Sequence, residues 1–206
     1  DNRVYRPYHL KHHRFTETKD DPDLSLSAPF PIKKDSFYRK IFRDLTGITG
    51  YKRYSQALNS ILNTEAKNSK EKLNKVWHKI HGFLITNTII FFMISIFFHW
   101  SLFFLLWWLP AFTYYSLIIR IRNIAEHSVT PGNNNFDNTR TTLTNPLVRF
   151  LMAPHRVNYH LEHHLFMMCP WYNLPKAHSM MIENGYEDRM CIANSYRSVL
   201  MKAVSA

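Results

Sequence analysis

Hydrophobic and polar positions are distributed very unevenly along the chain. From Phe83 to Ile119 the sequence reads FLITNTIIFFMISIFFHWSLFFLLWWLPAFTYYSLII, in which His99 and two tyrosines are the only ionisable side chains. As a single helix this run would reach roughly 55 Å, nearly twice the roughly 30 Å hydrocarbon core of a bilayer. It therefore predicts two membrane passes, broken at His99-Trp100-Ser101, where a polar ring and an interfacial tryptophan suit the far membrane surface. Pro110 is expected to kink the second pass. A buried core hairpin in a soluble protein is the competing reading, and the length of the run and the charges around it argue against that.

The flanks set the topology. Lys67, Lys70, Lys72, Lys75 and Lys79 precede the run, Arg120 and Arg122 follow it, and its tip carries no Lys or Arg. By the positive-inside rule both arms face the cytoplasm. Ahead of the run, Leu73, Val76, Trp77 and Ile80 recur at helical spacing opposite the lysines, which predicts an amphipathic helix at the membrane interface. Asp20 to Lys34, with prolines at 22, 29 and 31, reads as an irregular connection, and Thr130 to Asn145 as a loop rich in Asn and Thr. The expected fold is an all-α membrane protein within one domain, residues 1–206. Residues 1–81 and 120–206 are helical cytosolic arms, and residues 82–119 form the transmembrane hairpin.

Composition changes this picture in two places. A net charge of +11 admits nucleic acid, an anionic membrane or an acidic partner. Because much of that charge flanks the apolar run and the aromatics lie within it, nucleic acid is the least favoured. The two cysteines, Cys169 and Cys191, are too few for a disulfide scaffold and form no CxxC metal motif, which fits a reducing environment. The chain opens at Asp1 with neither an initiator methionine nor a charged-then-apolar leader, so the natural protein is expected to extend upstream.

The twelve histidines carry the chemistry. Tyr8-His9-Leu10-Lys11-His12-His13 places imidazoles at i, i+3 and i+4, one face of a helix. The pattern returns in Tyr159-His160-Leu161-Glu162-His163-His164, across a hairpin that would bring both arms to one side of the membrane. A third element, Asn123-Ile124-Ala125-Glu126-His127, puts an amide and an imidazole at i and i+4. Seven imidazoles exceed what one zinc takes, no HExxH is present, and no Glu has a His three residues later as carboxylate-bridged di-iron bundles require. Two metals are implied. Nitrogen-rich ligation suits iron, copper, zinc or nickel, with iron favoured where oxygen is activated.

These two boxes, the Asn-x-x-x-His element and the hairpin between them resemble the membrane fatty acid desaturase family, from Tyr8-His9-Leu10-Lys11-His12-His13-Arg14-Phe15-Thr16 to Pro170-Trp171-Tyr172-Asn173-Leu174-Pro175. The resemblance implies two iron ions held at the cytosolic face by His9, His12, His13, His127, His160, His163 and His164. Asn123 is implied as a ligand or as a group acting through water. Glu126 and Glu162 are candidates for orienting the ligand imidazoles, and His155 is read as structural or as a supporting group. His78, His81, His99 and His178 are read as surface or interface residues. The implied reaction uses O2 and two electrons, drawn from a ferredoxin or cytochrome b5-like donor, to introduce a double bond into a fatty acyl lipid in the bilayer. The basic arms would dock that donor or anionic headgroups. A hydroxylase or ketolase, or a non-catalytic metal-binding membrane protein, stands as the alternative. The family's first box, a His pair four or five residues apart on an earlier membrane helix, has no counterpart here. The chain is therefore expected to be a C-terminal part, inactive by itself.

Overall fold

In the computed structural model the chain is mostly helical, and residues 2–24, 29–132, 134 and 136–204 are described, with side chains from Tyr5 onward. The helices are α1 (Asn2–Phe15), α2 (Lys34–Leu45), α3 (Ile48–Leu62), α4 (Ser69–Phe97), α5 (Ser101–Phe103), α6 (Leu109–Phe112), α7 (Tyr114–His127), α8 (Pro146–Met152), α9 (His160–Leu165), α10 (Leu174–Glu183) and α11 (Tyr196–Ala203). Two short strands, β1 (Thr141–Thr142) and β2 (Ile192–Ala193), pair in parallel, Thr141 opposite Ile192. Residues 25–28 of the Asp20–Lys34 connection, and 133 and 135 of the Thr130–Asn145 loop, lie outside the described residues.

Packing divides the chain into two compact units. One comprises the chain to Pro7 with Arg39–Leu117, and the other Tyr8–Tyr38 with Ile118 onward. The sequence stretches 1–81, 82–119 and 120–206 follow hydropathy, whereas these units follow contacts, so residues 39–81 group with the hairpin and both histidine boxes fall in the second unit.

In the first unit, Asn68 opens α4 by accepting the Glu71 amide proton on its side chain, at 2.9 Å, as an N-cap does. The helix then runs without a break to Phe97, so the amphipathic stretch and the first apolar pass are one 29-residue element rather than two. Gly82, the one helix-weakening residue near their junction, is tolerated because it leaves the backbone hydrogen bonds in place. The apolar window of α4 has 0% of its residues buried, which argues against the core helix of a soluble domain. The turn falls where the sequence places it, between Phe97 and Ser101.

The second pass, Ser101–His127, is also long and apolar enough to cross a membrane, but it is not one regular helix. A π-turn occupies Phe104–Trp108, where the Leu109 amide bonds the Phe104 carbonyl, and the helix breaks at Thr113 (φ −105°, ψ −85°). Pro110, which cannot donate an amide proton, lies between the two irregularities. A broken helix needs its freed carbonyls satisfied. Arg53 of α3 does this by donating from Nη2 to the Ala111 carbonyl at 2.9 Å, with its guanidinium over the rings of Tyr54 and Tyr115. Across the hairpin the Trp107 indole donates to Asn87 Oδ1 at 3.1 Å, a polar tie between the two passes.

The second unit is built around α7 and the chain that follows it. Ile124 packs with Val199 and Ala203 of α11, Ala125 with Ala153 and Tyr196, and Leu161 of α9 with Met181 and Met190. Arg140 closes the end of α7 by donating to the carbonyls of Ala125 and Val129 at 3.1 and 2.8 Å. That clasp fixes the last helical residue, His127.

Candidate metal centre

Helical geometry alone distributes the histidines. In α1, His9 and His13 stand one above the other at i and i+4, while His12 projects to the side. In α9, His160 and His164 form the i, i+4 pair and His163 projects to the side. The two helices meet so that each contributes its pair to one group and its remaining member to the other. His12, His127, His160 and His164 form one group, and His9, His13 and His163 the other, with the candidate ligand atoms inside each group within 4.8 Å of one another. His13 and His164 stack at 4.0 Å between ring centroids, so the groups adjoin. The helices differ in their settings. Leu161 and Glu162, between the box residues of α9, are wholly buried, whereas Leu10 of α1 is half exposed.

The atoms that converge are those a metal would need. The Nε2 atoms of His9, His13 and His163 lie 3.0 to 3.1 Å apart in all three pairings, and those of His127 and His160 lie 2.9 Å apart. Neutral imidazoles pointing several lone pairs at one spot repel unless a cation sits among them. Nitrogens around a tetrahedral ion at about 2.0–2.1 Å would be about 3.4 Å apart, so the donor sets fit metal ions after a small outward relaxation. Their rear nitrogens are held as metal-bound imidazoles usually are. His12 Nδ1 lies 2.8 Å from Asp21 Oδ1, His127 Nδ1 lies 3.4 Å from the Asn138 carbonyl, and His164 Nδ1 lies 3.4 Å from Thr16 Oγ1. Asp21 is itself fixed, accepting the backbone amides of Glu17 and Asp23 at 2.8 Å each.

Burial and crowding set the protonation. Burial, reinforced by His163 and His9, lowers the pKa of His13 to about 3; burial and then His9 lower His163 to about 4. Burial also depresses His9, and it drives His160 and His164 well below the usual value. At His12 burial opposes charge, but the hydrogen bond and charge of Asp21 outweigh it and the pKa rises. The sign of the pH effect follows. Between about 6.5 and about 4 the unfolded chain takes up protons on these imidazoles that the folded chain refuses, so folded stability falls as pH falls through that window. His12 works in the opposite direction but is outnumbered. The metal-free chain is expected to unfold at a distinctly lower temperature at pH 5 than at pH 7, by thermal scanning in detergent. A midpoint independent of pH over that range would contradict the buried, neutral clusters.

The chain matches the fatty acid desaturase family over residues 3–192. It belongs to that family. Comparisons with curated proteins and with solved structures returned no match. The family is one of membrane-bound oxidoreductases, generally with two irons, and both histidine groups of this desaturase-family chain lie inside the matched stretch.

The remaining candidates take varied places in the desaturase-family chain. Asn123 Oδ1 is buried without a hydrogen-bond partner among the described residues. Glu126, buried, accepts from Arg122 Nε at 3.1 Å and turns its other oxygen toward His160 rather than toward the adjacent His127. Glu162 reaches neither group: it holds His178 Nδ1 at 2.6 Å and accepts from the Thr141 hydroxyl. It ties α9 to α10 and β1 from behind. His178, read from sequence as a surface residue, is thus part of the support for the second box. His155 is exposed, in left-handed backbone (φ 56°), with its ring against Trp171, and stands outside both groups. His78 and His99 are exposed, and His81 bonds the Trp77 carbonyl of its own helix. Sequence reasoning missed Asp21 and Asn138, which sit in connections and share no spacing pattern with the histidines they hold.

Proposed function

We propose that the chain carries the di-iron site of an O2-dependent desaturase that introduces a carbon–carbon double bond into a membrane fatty acyl lipid, with the boxes on the cytoplasmic side. The observation that carries this reading is the exchange between the two boxes: each HxxHH divides its imidazoles between two adjoining groups, which a site for two metals requires. Two irons held there would supply oxygen activation and hydrogen removal from unactivated C–H bonds. The balance is –CH2–CH2– + O2 + 2 electrons + 2 H+ giving –CH=CH– + 2 H2O.

The ligand roles go to His9, His13 and His163 in one group and to His12, His127, His160 and His164 in the other. Asn123 lies one helical turn before His127, with its buried Oδ1 lacking a partner among the described residues, and approaches directly or through water. The residues themselves present neutral lone pairs and hold them still. Asp21 takes the Nδ1 proton of His12 and so leaves Nε2 free to ligate. Asn138 and Thr16 perform the same service more weakly for His127 and His164. The low proton affinity of the buried imidazoles keeps the donor sets open to metal at neutral pH. Electrons come from a donor of the ferredoxin or cytochrome b5 kind, whose acidic surface suits the basic flanks.

The test is elemental analysis with lipid product analysis on the full-length parent protein purified from membranes. About two irons per chain and oxygen-dependent unsaturation support the reading. An oxygenated lipid product would move it to hydroxylase, and zinc alone with no product would overturn it. The 206-residue chain, run beside it, is expected to bind metal without turnover.

A further inference from the structure

The four histidines of the larger group are unequal at their rear nitrogens. His12, His127 and His164 each have an oxygen facing Nδ1. His160 is 5% exposed, and its Nδ1 has no hydrogen-bond partner among the described residues. Glu126 Oε2 stands 3.9 Å from it, too far for a direct bond. A third buried polar atom belongs to the same region. Tyr196, 7% exposed, packs its side chain with Ala125 and Ala153, and its hydroxyl also has no partner among the described residues. Burial first, and then the Glu126 carboxylate, raise the pKa of that phenol, so it keeps its proton.

His160 Nδ1 and the Tyr196 hydroxyl are both buried without a partner among the described residues, and Glu126 stands 3.9 Å from the first and next in sequence to Ala125, against which Tyr196 packs; an internal water takes two to four such partners. The 3.9 Å gap is one that a single water spans with two bonds of about 2.8 Å each. We propose that Glu126 and Tyr196 hold a buried water against His160 Nδ1 and thereby fix this imidazole for metal binding. This inference rests on the metal reading above. The water accepts the His160 Nδ1 proton and the Tyr196 hydroxyl proton and donates to Glu126 Oε2. His160 then has through water what His12 has directly from Asp21, a carboxylate behind the ring that orients it and strengthens it as a ligand. Tyr196 is a positioning residue in this arrangement, and it lies beyond the stretch matched by the desaturase family.

The test is Tyr196→Phe, which deletes only the hydroxyl. If that hydroxyl were simply an unsatisfied buried group, its removal would be neutral or slightly stabilising and would leave metal binding unchanged. Cobalt(II) titration of the full 206-residue chain in detergent, read by calorimetry and visible absorption, separates the possibilities. A His9→Ala background removes the three-histidine group and so assigns the classes of site. The expected result is roughly 10-fold weaker cobalt binding at the four-histidine group with an altered absorption band. Binding at the three-histidine group should be unchanged, and the metal-free melting temperature should fall by no more than the loss of one hydrogen bond allows. Identical cobalt binding in wild type and Tyr196→Phe would overturn the proposal, as would weakening of both groups together with a lower melting temperature. A wild-type chain that binds no cobalt through imidazole would remove the metal reading itself, and this inference with it.

Discussion

Replacing His163 with alanine is expected to abolish oxygen-dependent desaturation in the intact protein while leaving its membrane insertion unchanged. His163 is the one member of its box that faces His9 and His13, at 3.1 and 3.0 Å between Nε2 atoms. Its loss leaves two donors where three converged, while the four-histidine group keeps all its imidazoles. Iron content should fall from about two to about one per chain, with turnover lost by several orders of magnitude because a single ion cannot replace the pair. Elemental analysis, lipid product analysis and membrane fractionation of the same preparation check the three parts. Retained turnover would remove His163 from the ligand set, and loss of the protein from the membrane would show a folding defect.

Gly50→Ala should be among the most damaging single substitutions in the first unit, though it lies far in sequence from any box. A Cβ at position 50 would fall 2.3 Å from the Phe112 carbonyl oxygen and 2.6 Å from its Cα. The obstacle is backbone, which cannot rotate aside as a side chain would. The residue concerned is also the last of α6, just ahead of the break at Thr113. Separating α3 from α6 would disturb the Arg53 bond to Ala111 as well. A loss of about 3 kcal/mol is expected, in the upper range for overpacking. It would appear as a lower melting temperature in detergent and poor yield from membranes. A melting temperature equal to wild type would show that the helices do not approach so closely.

Much of this was open to sequence reasoning, for definable reasons. The hairpin was visible because the apolar run is too long for one pass, and the turn at His99-Trp100-Ser101 because the run's one imidazole and an interfacial tryptophan fall together near its middle. The boxes were visible because i, i+3, i+4 is a helical face. What the spacing could not show is which imidazole pairs with which, since that depends on how α1 meets α9. His12 and His163, the i+3 histidines, are the members that cross over; the spacing sets them apart from the i, i+4 pairs but does not say which group each joins. Glu162 was expected beside a ligand and instead clasps His178, sixteen residues on. Tertiary packing chose that partner. The continuity of α4 was missed because a change of composition near Lys79 looks like an element boundary, although the backbone has no reason to stop there. The break at Thr113 is carried by Arg53, whose role depends on a contact fifty-eight residues away in sequence.

The crossing of the two boxes would give metals bound there a mechanical part to play. Neither helix holds a complete donor set, so an ion bound in either group would be a cross-link between segments 150 residues apart, as for His13 and His163. Such a link restrains the chain as a disulfide closing a long loop would, except that it can be undone by a chelator or by acid. α9 is embedded by Leu161 and Glu162, whereas α1 exposes Tyr8 and Leu10. When the ions leave, α1 is therefore the strand of the knot that slips first, and protease attack near Lys11 and Arg14 would report the untying.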